Sequence, residues 1–267
     1  MKLDSNRAWK HASGNVARNR DALLAVAGVF FLLPQLALAL FFPQPEPTAG
    51  MNEQQIAALV QSYYASALPV MIPMVICQAM GTLALMTLLN NAARPTVGDA
   101  LRWALGGLLT YLGAQMVMGI GVGVMGGLVL TVLSLSGVAA VALAGLLLVV
   151  IIAIMLLLRV SLSGAVVAIE GERHPIKALQ RSWALTAGNT SRLLGFYALV
   201  LVAFMVILMM INLAVGIPLN LLTSDGVAKL VTTLVSATLN AVMGLYFAAI
   251  IAAVHHQLAD DQAETFQ

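Results

Sequence analysis

The residues of this chain that could do chemistry are arginines and tryptophans at a repeated spacing, not a set of acids, bases and nucleophiles. Arg7, Trp9, Gly14, Asn15 and Arg18 recur, with the same spacing, as Arg181, Trp183, Gly188, Asn189 and Arg192. A guanidinium group binds phosphate oxygens through several N–H groups, and a tryptophan ring favours the headgroup level of a membrane. The pattern therefore predicts contact with the anionic headgroups of membrane lipids.

A weaker copy of this pattern lies in the middle of the chain, where residues 100–105 resemble residues 178–185 with two residues removed. Each copy is typical of a short amphipathic helix at the membrane interface, which a left-handed glycine ends before an asparagine caps the next helix. We expect the headgroup contacts to come from Arg18, Arg102, Arg159, Arg181, Trp183 and Arg192. The alternative is that these segments are only interface anchors.

Arg159 belongs to this set because it follows an apolar run of about twenty residues. As one helix, residues 138–169 would be about 48 Å long, which exceeds the hydrocarbon thickness. The length places Arg159 near the inner boundary of the membrane, where its side chain can extend to lipid phosphate. The alternative is a buried arginine that lines a polar cavity and pairs with Glu170 or Glu172.

A second pattern, of glycines, has a packing interpretation. Gly121, Gly123 and Gly126 match the letters of a dinucleotide-binding fingerprint, but they lie inside an apolar run with no strand before it. Gly119, Gly123 and Gly127 fall on one helix face, which is typical of close helix packing in membranes. This face is the predicted contact for a second copy of the chain or a protein partner.

Patterns for catalysis and for metal binding are weak. Two possible metal donors, His256 and Asp260, lie one helical turn apart in the cluster His255, His256, Asp260 and Asp261. Two donors do not make a closed metal site. The sequence shows no recognisable nucleophile–base motif and no phosphate loop. We expect a non-catalytic protein without a cofactor or a metal.

The composition identifies the solvent of this protein as lipid. Of 267 residues, 61% are hydrophobic and 9% are charged, and the mean hydropathy is +0.95. Soluble domains carry about 25% charged residues, so this chain cannot cover a soluble globule. A nucleic-acid partner has no support, and the single cysteine, Cys77, excludes an intramolecular disulfide.

Apolar runs long enough to cross a membrane predict six transmembrane helices in an all-α protein. They cover residues 22–42, 68–89, 103–133, 138–158, 193–213 and 227–254. Polar side chains within the spans, such as Gln115 and Asn212, predict hydrogen bonds between helices. Between the first two spans, Asn52 is expected to cap a short helix that lies on the lipid surface.

The basic residues predict the orientation. Twelve of the thirteen flank the spans on the side of the amino terminus, and only Lys229 lies on the other side. Since basic flanks are retained in the cytoplasm, both termini are expected there, in the inner membrane of a bacterium. One alternative is cleavage of the first span near residues 37–39, which would leave five spans.

The repeat and the spans together predict one membrane domain, residues 1–267, of three helical hairpins in parallel repeat. The hairpins cover residues 1–89, 90–169 and 170–267. A cytoplasmic interfacial helix is expected before each of them.

Residues 159–171, with sequence RVSLSGAVVAIEG, and the downstream Pro175, Trp183, Gly188, Asn189 and Arg192 carry a family resemblance. They resemble the membrane domain of glycerophosphoryl diester phosphodiesterase, and most of the chain is similar to YciC-type bacterial inner-membrane proteins. The phosphodiesterase domain itself is absent, so no hydrolase activity carries over. The resemblance implies an envelope protein that associates with lipid. A transporter of lipid or small molecules, and a scaffold that acts with a partner chain, are the alternatives.

Overall fold

A computed structural model describes residues 3–45, 47–48, 50–90 and 95–265, and every regular element in those ranges is helical. The all-α prediction is confirmed for this part of the chain. The helices are α1 (Ser5–Arg18), α2 (Arg20–Ala27), α3 (Leu33–Phe41), α4 (Glu53–Leu88), α5 (Val97–Ser134), α6 (Ala139–Val160), α7 (Ser163–Ala165), α8 (Pro175–Leu185), α9 (Thr190–Leu222) and α10 (Asp225–Thr265). Two π-helical turns, Gly28–Leu32 and Val166–Glu170, follow α2 and α7.

Six helical segments of the described chain are long and apolar enough to cross a membrane. They are Arg20–Phe41, Glu53–Leu88, Val97–Ser134, Ala139–Glu170, Thr190–Leu219 and Gly226–Asp260. Each predicted span overlaps one of these segments. The chain therefore has the architecture of a multi-pass membrane protein.

The helix that begins after Asn52 is part of the second span. The Asn52 side chain accepts a hydrogen bond from the Gln55 amide at 2.9 Å, and the Gln55 side chain accepts one from the Asn52 amide at 2.9 Å. From this cap, α4 runs unbroken for 36 residues through Pro69 and Pro73, because neighbouring groups can compensate for proline in membrane helices. The prediction of a separate helix on the lipid surface is therefore wrong.

The middle copy of the arginine–tryptophan pattern also lies inside a long helix. Thr96 caps α5, and its hydroxyl accepts a hydrogen bond from the Asp99 amide at 3.2 Å. Since this cap precedes Arg102 and Trp103, both residues fall in the first turns of α5. The described chain thus has no separate interfacial helix before this span, contrary to the prediction.

The fourth span is interrupted, and residues 138–169 do not form a single helix. Helix α6 ends at Val160, and α7 begins at Ser163. Side chains of α8 bind the backbone groups at the break: the Leu162 amide donates to the Ser182 hydroxyl at 3.2 Å, and that hydroxyl donates to the Arg159 carbonyl oxygen at 2.9 Å. The break is stable because α8 supplies these polar partners.

The core lies in the half of the bundle that carries the basic residues. Helix α10 is at its centre, with Leu245, Ile250 and Val254 buried, and α1 packs on it through Ala8 and Ala12. The other half of α5 and α6 is largely exposed. One predicted interhelical hydrogen bond is confirmed between α9 and α10: the Ser236 hydroxyl of α10 donates to the side-chain oxygen of Asn212 of α9 at 2.6 Å.

Candidate functional site

Arg159 and Trp183 form a pair at the basic end of the bundle. The Arg159 Cζ atom lies 5.0 Å from the centre of the Trp183 ring, and its Nη1 donates to the Trp183 carbonyl oxygen at 3.4 Å. Arg159 is half-buried in the last turn of α6, and Trp183 is 45% exposed on α8. The other N–H groups of the guanidinium make no hydrogen bond to the described residues, so they can bind an anion.

The two carboxylates that were considered as partners of Arg159 are bound elsewhere. Glu172 accepts hydrogen bonds from the Arg173 and His174 amides, both at 2.9 Å. Glu170 lies 3.0 Å from Arg181 Nε and 2.9 Å from His255 Nε2. The alternative in which Arg159 pairs with one of these acids does not form in the described chain.

Glu170 instead joins three elements of the fold. Its side chain, 28% exposed, stands on the second π-helical turn, between Arg181 of α8 and His255 of α10. The His255 side chain is 3% exposed. Since an ionised carboxylate only accepts hydrogen bonds, Nε2 of His255 carries the proton that faces it. Arg181, expected to contact headgroups, is thereby engaged in an internal ion pair.

Asn189 and Arg192 bind the amino-terminal segment of the chain. The Leu3 amide donates to the Asn189 side-chain oxygen at 2.9 Å, and Arg192 donates to the Leu3 carbonyl oxygen at 3.1 Å. Leu3 is 3% exposed. Asn189 precedes α9, as predicted, but makes no side-chain capping bond there, because its oxygen is already bound to Leu3.

The first copy of the pattern has a different structure. Gly14 lies inside α1, which continues to Arg18, so the prediction that Gly14 ends this helix is wrong. Gly188 does take the expected left-handed conformation, with φ +76°. Arg18 bonds within its own helix, to the Gly14 carbonyl oxygen at 3.4 Å and to the Asn15 side chain.

Of the six expected headgroup residues, the structure brings together Arg159 and Trp183. Arg18, Arg181 and Arg192 bond to protein groups, and Arg102 is exposed near the start of α5. Sequence reasoning missed Ser182 and Thr186, whose hydroxyls both donate to the Arg159 carbonyl oxygen, at 2.9 and 3.2 Å. Their spacing of four residues on a helix was the available signal.

The predicted glycine face and the weak metal pattern do not form such a contact within the described chain. Ideal Cβ atoms built at Gly119, Gly123 and Gly127 meet no atom within 4 Å, so no other part of the described chain packs on that glycine face. Among the described residues, no three His, Cys, Asp or Glu side chains could hold a metal ion.

Residues of all six spans line a cavity of about 630 Å³, which lies beside Arg159. Leu158 and Val160, the neighbours of Arg159, both belong to its wall. The polar groups that line it come from Thr82, Tyr111, Gln115, Ser161, Ser163 and Tyr197.

These features define an all-helical, multi-pass membrane protein with an arginine–tryptophan pair at one end and a cavity between its spans. Residues 6–258 match the family model described as Domain of unknown function (DUF7847), and the chain belongs to that family. No curated protein and no solved structure matches the chain.

Proposed function

We propose that this protein is a non-catalytic component of the bacterial inner membrane that binds anionic lipid headgroups at its basic end, with both termini in the cytoplasm. The cation–π pair of Arg159 and Trp183 carries the proposal. A guanidinium held on an indole face at the end of an apolar helix is suited to binding phosphate. In this role the protein would serve lipid or envelope homeostasis.

The charges around Arg159 support an external anion as its partner. Glu170, the carboxylate closest in sequence, is bound by Arg181 and His255. Arg159 donates to a backbone carbonyl oxygen at the long distance of 3.4 Å. A neutral carbonyl does not balance a cation at the edge of hydrocarbon, and a lipid phosphate would.

Further basic side chains lie at the same end of the bundle. They are exposed on α1, α5 and α8, and include Arg7, Lys10, Arg18, Arg102 and Lys177. A cluster of this kind attracts anionic lipid by about 1 kcal/mol per basic residue near the surface. We propose that α1 and α8 lie at the interface, since Trp9 and Trp183 are 41% and 45% exposed on them.

Lipid retention by an Arg159→Gln variant tests this function. Wild type and variant are extracted from the same membranes, delipidated gently, reconstituted with phosphatidylglycerol and phosphatidylcholine, and examined by native mass spectrometry. Losing a charge-assisted hydrogen bond costs about 1.5–3 kcal/mol, so we expect at least tenfold less retained phosphatidylglycerol. Retention of phosphatidylcholine should not change.

Arg20→Gln is the matched control, because it removes the same charge at the same end of the protein. The Arg20 side chain is 74% exposed and lies 3.4 Å from Asp21. We expect this variant to retain phosphatidylglycerol like the wild type. An equal loss in both variants would mean that general charge, and not the Arg159 pair, binds the lipid.

Transport of a lipid or small molecule is a second candidate, favoured by the break between α6 and α7. Ser161 lies in the break, Ser163 begins α7, and both line the cavity. Interrupted helices often form the substrate sites of transporters. A soluble metabolite retained in the native mass spectrum would favour transport. A stoichiometric protein would favour a scaffold that binds through the glycine face.

A further inference from the structure

We infer that the cavity between the six spans binds a neutral lipid, an apolar chain or ring with a hydroxyl or carbonyl oxygen at one end. The site is separate from the headgroup site, and the inference does not depend on Arg159. A volume of about 630 Å³ lies within the range of about 300–1,000 Å³ typical of small-molecule sites.

The wall of the cavity excludes a charged ligand. The described residues that line it include aromatic and aliphatic side chains such as Phe31, Met86 and Phe247, and no Asp, Glu, Lys, Arg or His. An ion in this cavity would lose its hydration without gaining a counter-charge. An apolar ligand instead packs against these apolar side chains.

A cluster of hydroxyl and amide groups supplies the polar end of the site. Tyr197 is 5% exposed, and its hydroxyl lies beside Ser161 in the cavity, but it makes no hydrogen bond of normal geometry to Ser161 or to any other described residue. A buried polar group without a well-formed hydrogen bond destabilises the protein, because it has lost its hydrogen bonds to water. A ligand oxygen that accepts a hydrogen bond from Tyr197 removes this cost.

Tyr111 offers a second hydroxyl to the same ligand. Gln115 donates to the Tyr111 hydroxyl oxygen at 3.0 Å, and both side chains line the cavity. A phenol that accepts one hydrogen bond can still donate its own proton. The site therefore presents phenolic donors to an oxygen atom, which both an alcohol and a ketone carry.

The cavity opens to the side, between α6 and α9. Ile154 and Leu157 of α6, and Leu194 and Leu201 of α9, line the cavity and are exposed on the outer surface of the bundle. This opening lies on membrane-spanning segments. A ligand therefore enters from the lipid phase, and its apolar tail extends through the opening while its oxygen reaches the tyrosines.

Photolabelling of the full-length protein tests this site. The probe is dioleoylglycerol with a diazirine in one acyl chain, incorporated into phosphatidylcholine vesicles with the reconstituted protein, and labelled peptides are mapped by mass spectrometry. We expect labelling to concentrate on the residues of α6 and α9 that line the opening. Excess farnesol, which carries a hydroxyl, or decylubiquinone, a quinone that carries carbonyl oxygens, should displace the probe. The stronger competitor identifies the source of the oxygen.

Two variants locate the site and a third is the control. Ala198 is exposed and lines the cavity, so Ala198→Trp should block the opening and reduce labelling at least tenfold. Tyr197→Phe removes the hydroxyl with little change of shape and should reduce it about tenfold, since one hydrogen bond of about 1.4 kcal/mol is a factor of ten. Leu199→Trp adds the same ring one residue away, at a position that is 68% exposed and outside the wall, and should label like the wild type.

Three results would overturn the inference. The first is labelling spread evenly over the lipid-facing helices, and the second is labelling that survives both Ala198→Trp and Tyr197→Phe. The third is displacement by phosphatidylglycerol as effective as displacement by the neutral competitors. Arg159→Gln should leave the labelling unchanged, so the two proposed sites fail or succeed separately.

Discussion

The first and third copies of the arginine–tryptophan pattern share five residue types at the same spacing, yet they fold differently. The first copy is one continuous helix, in which Arg18 bonds to its own turn. In the third copy the helix ends at Leu185, and Asn189 and Arg192 reach across to Leu3. The comparison shows that spacing selects which residues share a helix face, while distant partners select what they bind.

The surroundings of the two copies explain the difference. Helix α1 packs along α10 through small side chains such as Ala8 and Ala12, and this contact favours an uninterrupted helix. Helix α8 packs against the break after α6, where Ser182 and Thr186 bind the Arg159 carbonyl oxygen. The third copy is therefore the one fixed by long-range polar contacts, and its variants should have the larger effects.

The largest difference in the free energy of unfolding is expected between the variants Asn189→Ala and Asn15→Ala. Asn189→Ala leaves the buried Leu3 amide without its acceptor, which should lower the free energy of unfolding by about 1–3 kcal/mol. Asn15→Ala releases Arg18 and His11, which are both exposed and can bond to water, so its cost should be smaller. Unfolding by SDS titration in mixed micelles measures both values, and equal losses would contradict the distinction.

Replacing the glycine with alanine should change stability in opposite directions in the two copies. Gly188 has φ +76°, so Gly188→Ala forces a side chain into the left-handed region and should cost about 1–2 kcal/mol. Gly14 is helical and has open space around an ideal Cβ, so Gly14→Ala should stabilise α1 by about 0.5–1 kcal/mol. The apparent melting temperature in detergent should fall for the first variant and rise for the second.

A matched outcome for the two glycines would contradict this explanation. If both variants lowered the melting temperature, Gly14 would also have to serve a turn or a close contact. If neither changed it, the Gly188 conformation would not limit stability.

The comparison also shows what the sequence could predict. Runs of apolar residues predicted the six long helices, because crossing hydrocarbon requires about twenty such residues whatever their partners are. The break after Val160 was not predicted, because it depends on the Ser182 hydroxyl, which binds the Leu162 amide from twenty residues away in the chain. Helix interruptions of this kind require knowledge of tertiary contacts.

The candidate site was predictable to a similar degree. Arg159 and Trp183 were both identified from sequence, since each stands out among apolar or repeated neighbours. Their contact was not predicted, nor was the pairing of Glu170 with His255, which is 85 residues away. Partners so distant in sequence leave no spacing pattern that a single chain could reveal.

The smallest difference in the free energy of unfolding is expected between Arg181→Gln and Arg7→Gln, which replace the first arginine of each copy. Arg181 pairs with Glu170 at 3.0 Å, and its side chain is 40% exposed, so its loss should cost about 0.2–1 kcal/mol. Arg7 is exposed on α1, and its replacement should have no measurable effect on unfolding.

A double-mutant cycle with Glu170→Gln isolates this ion pair from other effects of the Arg181 substitution. If the pair joins α8 to the π-helical turn, the Arg181 substitution should cost less in the Glu170→Gln background than in the wild type. Equal costs in both backgrounds would mean that Arg181 acts independently of Glu170. The two copies would then differ in the contacts of Trp183, Asn189 and Arg192 and in the conformation of Gly188.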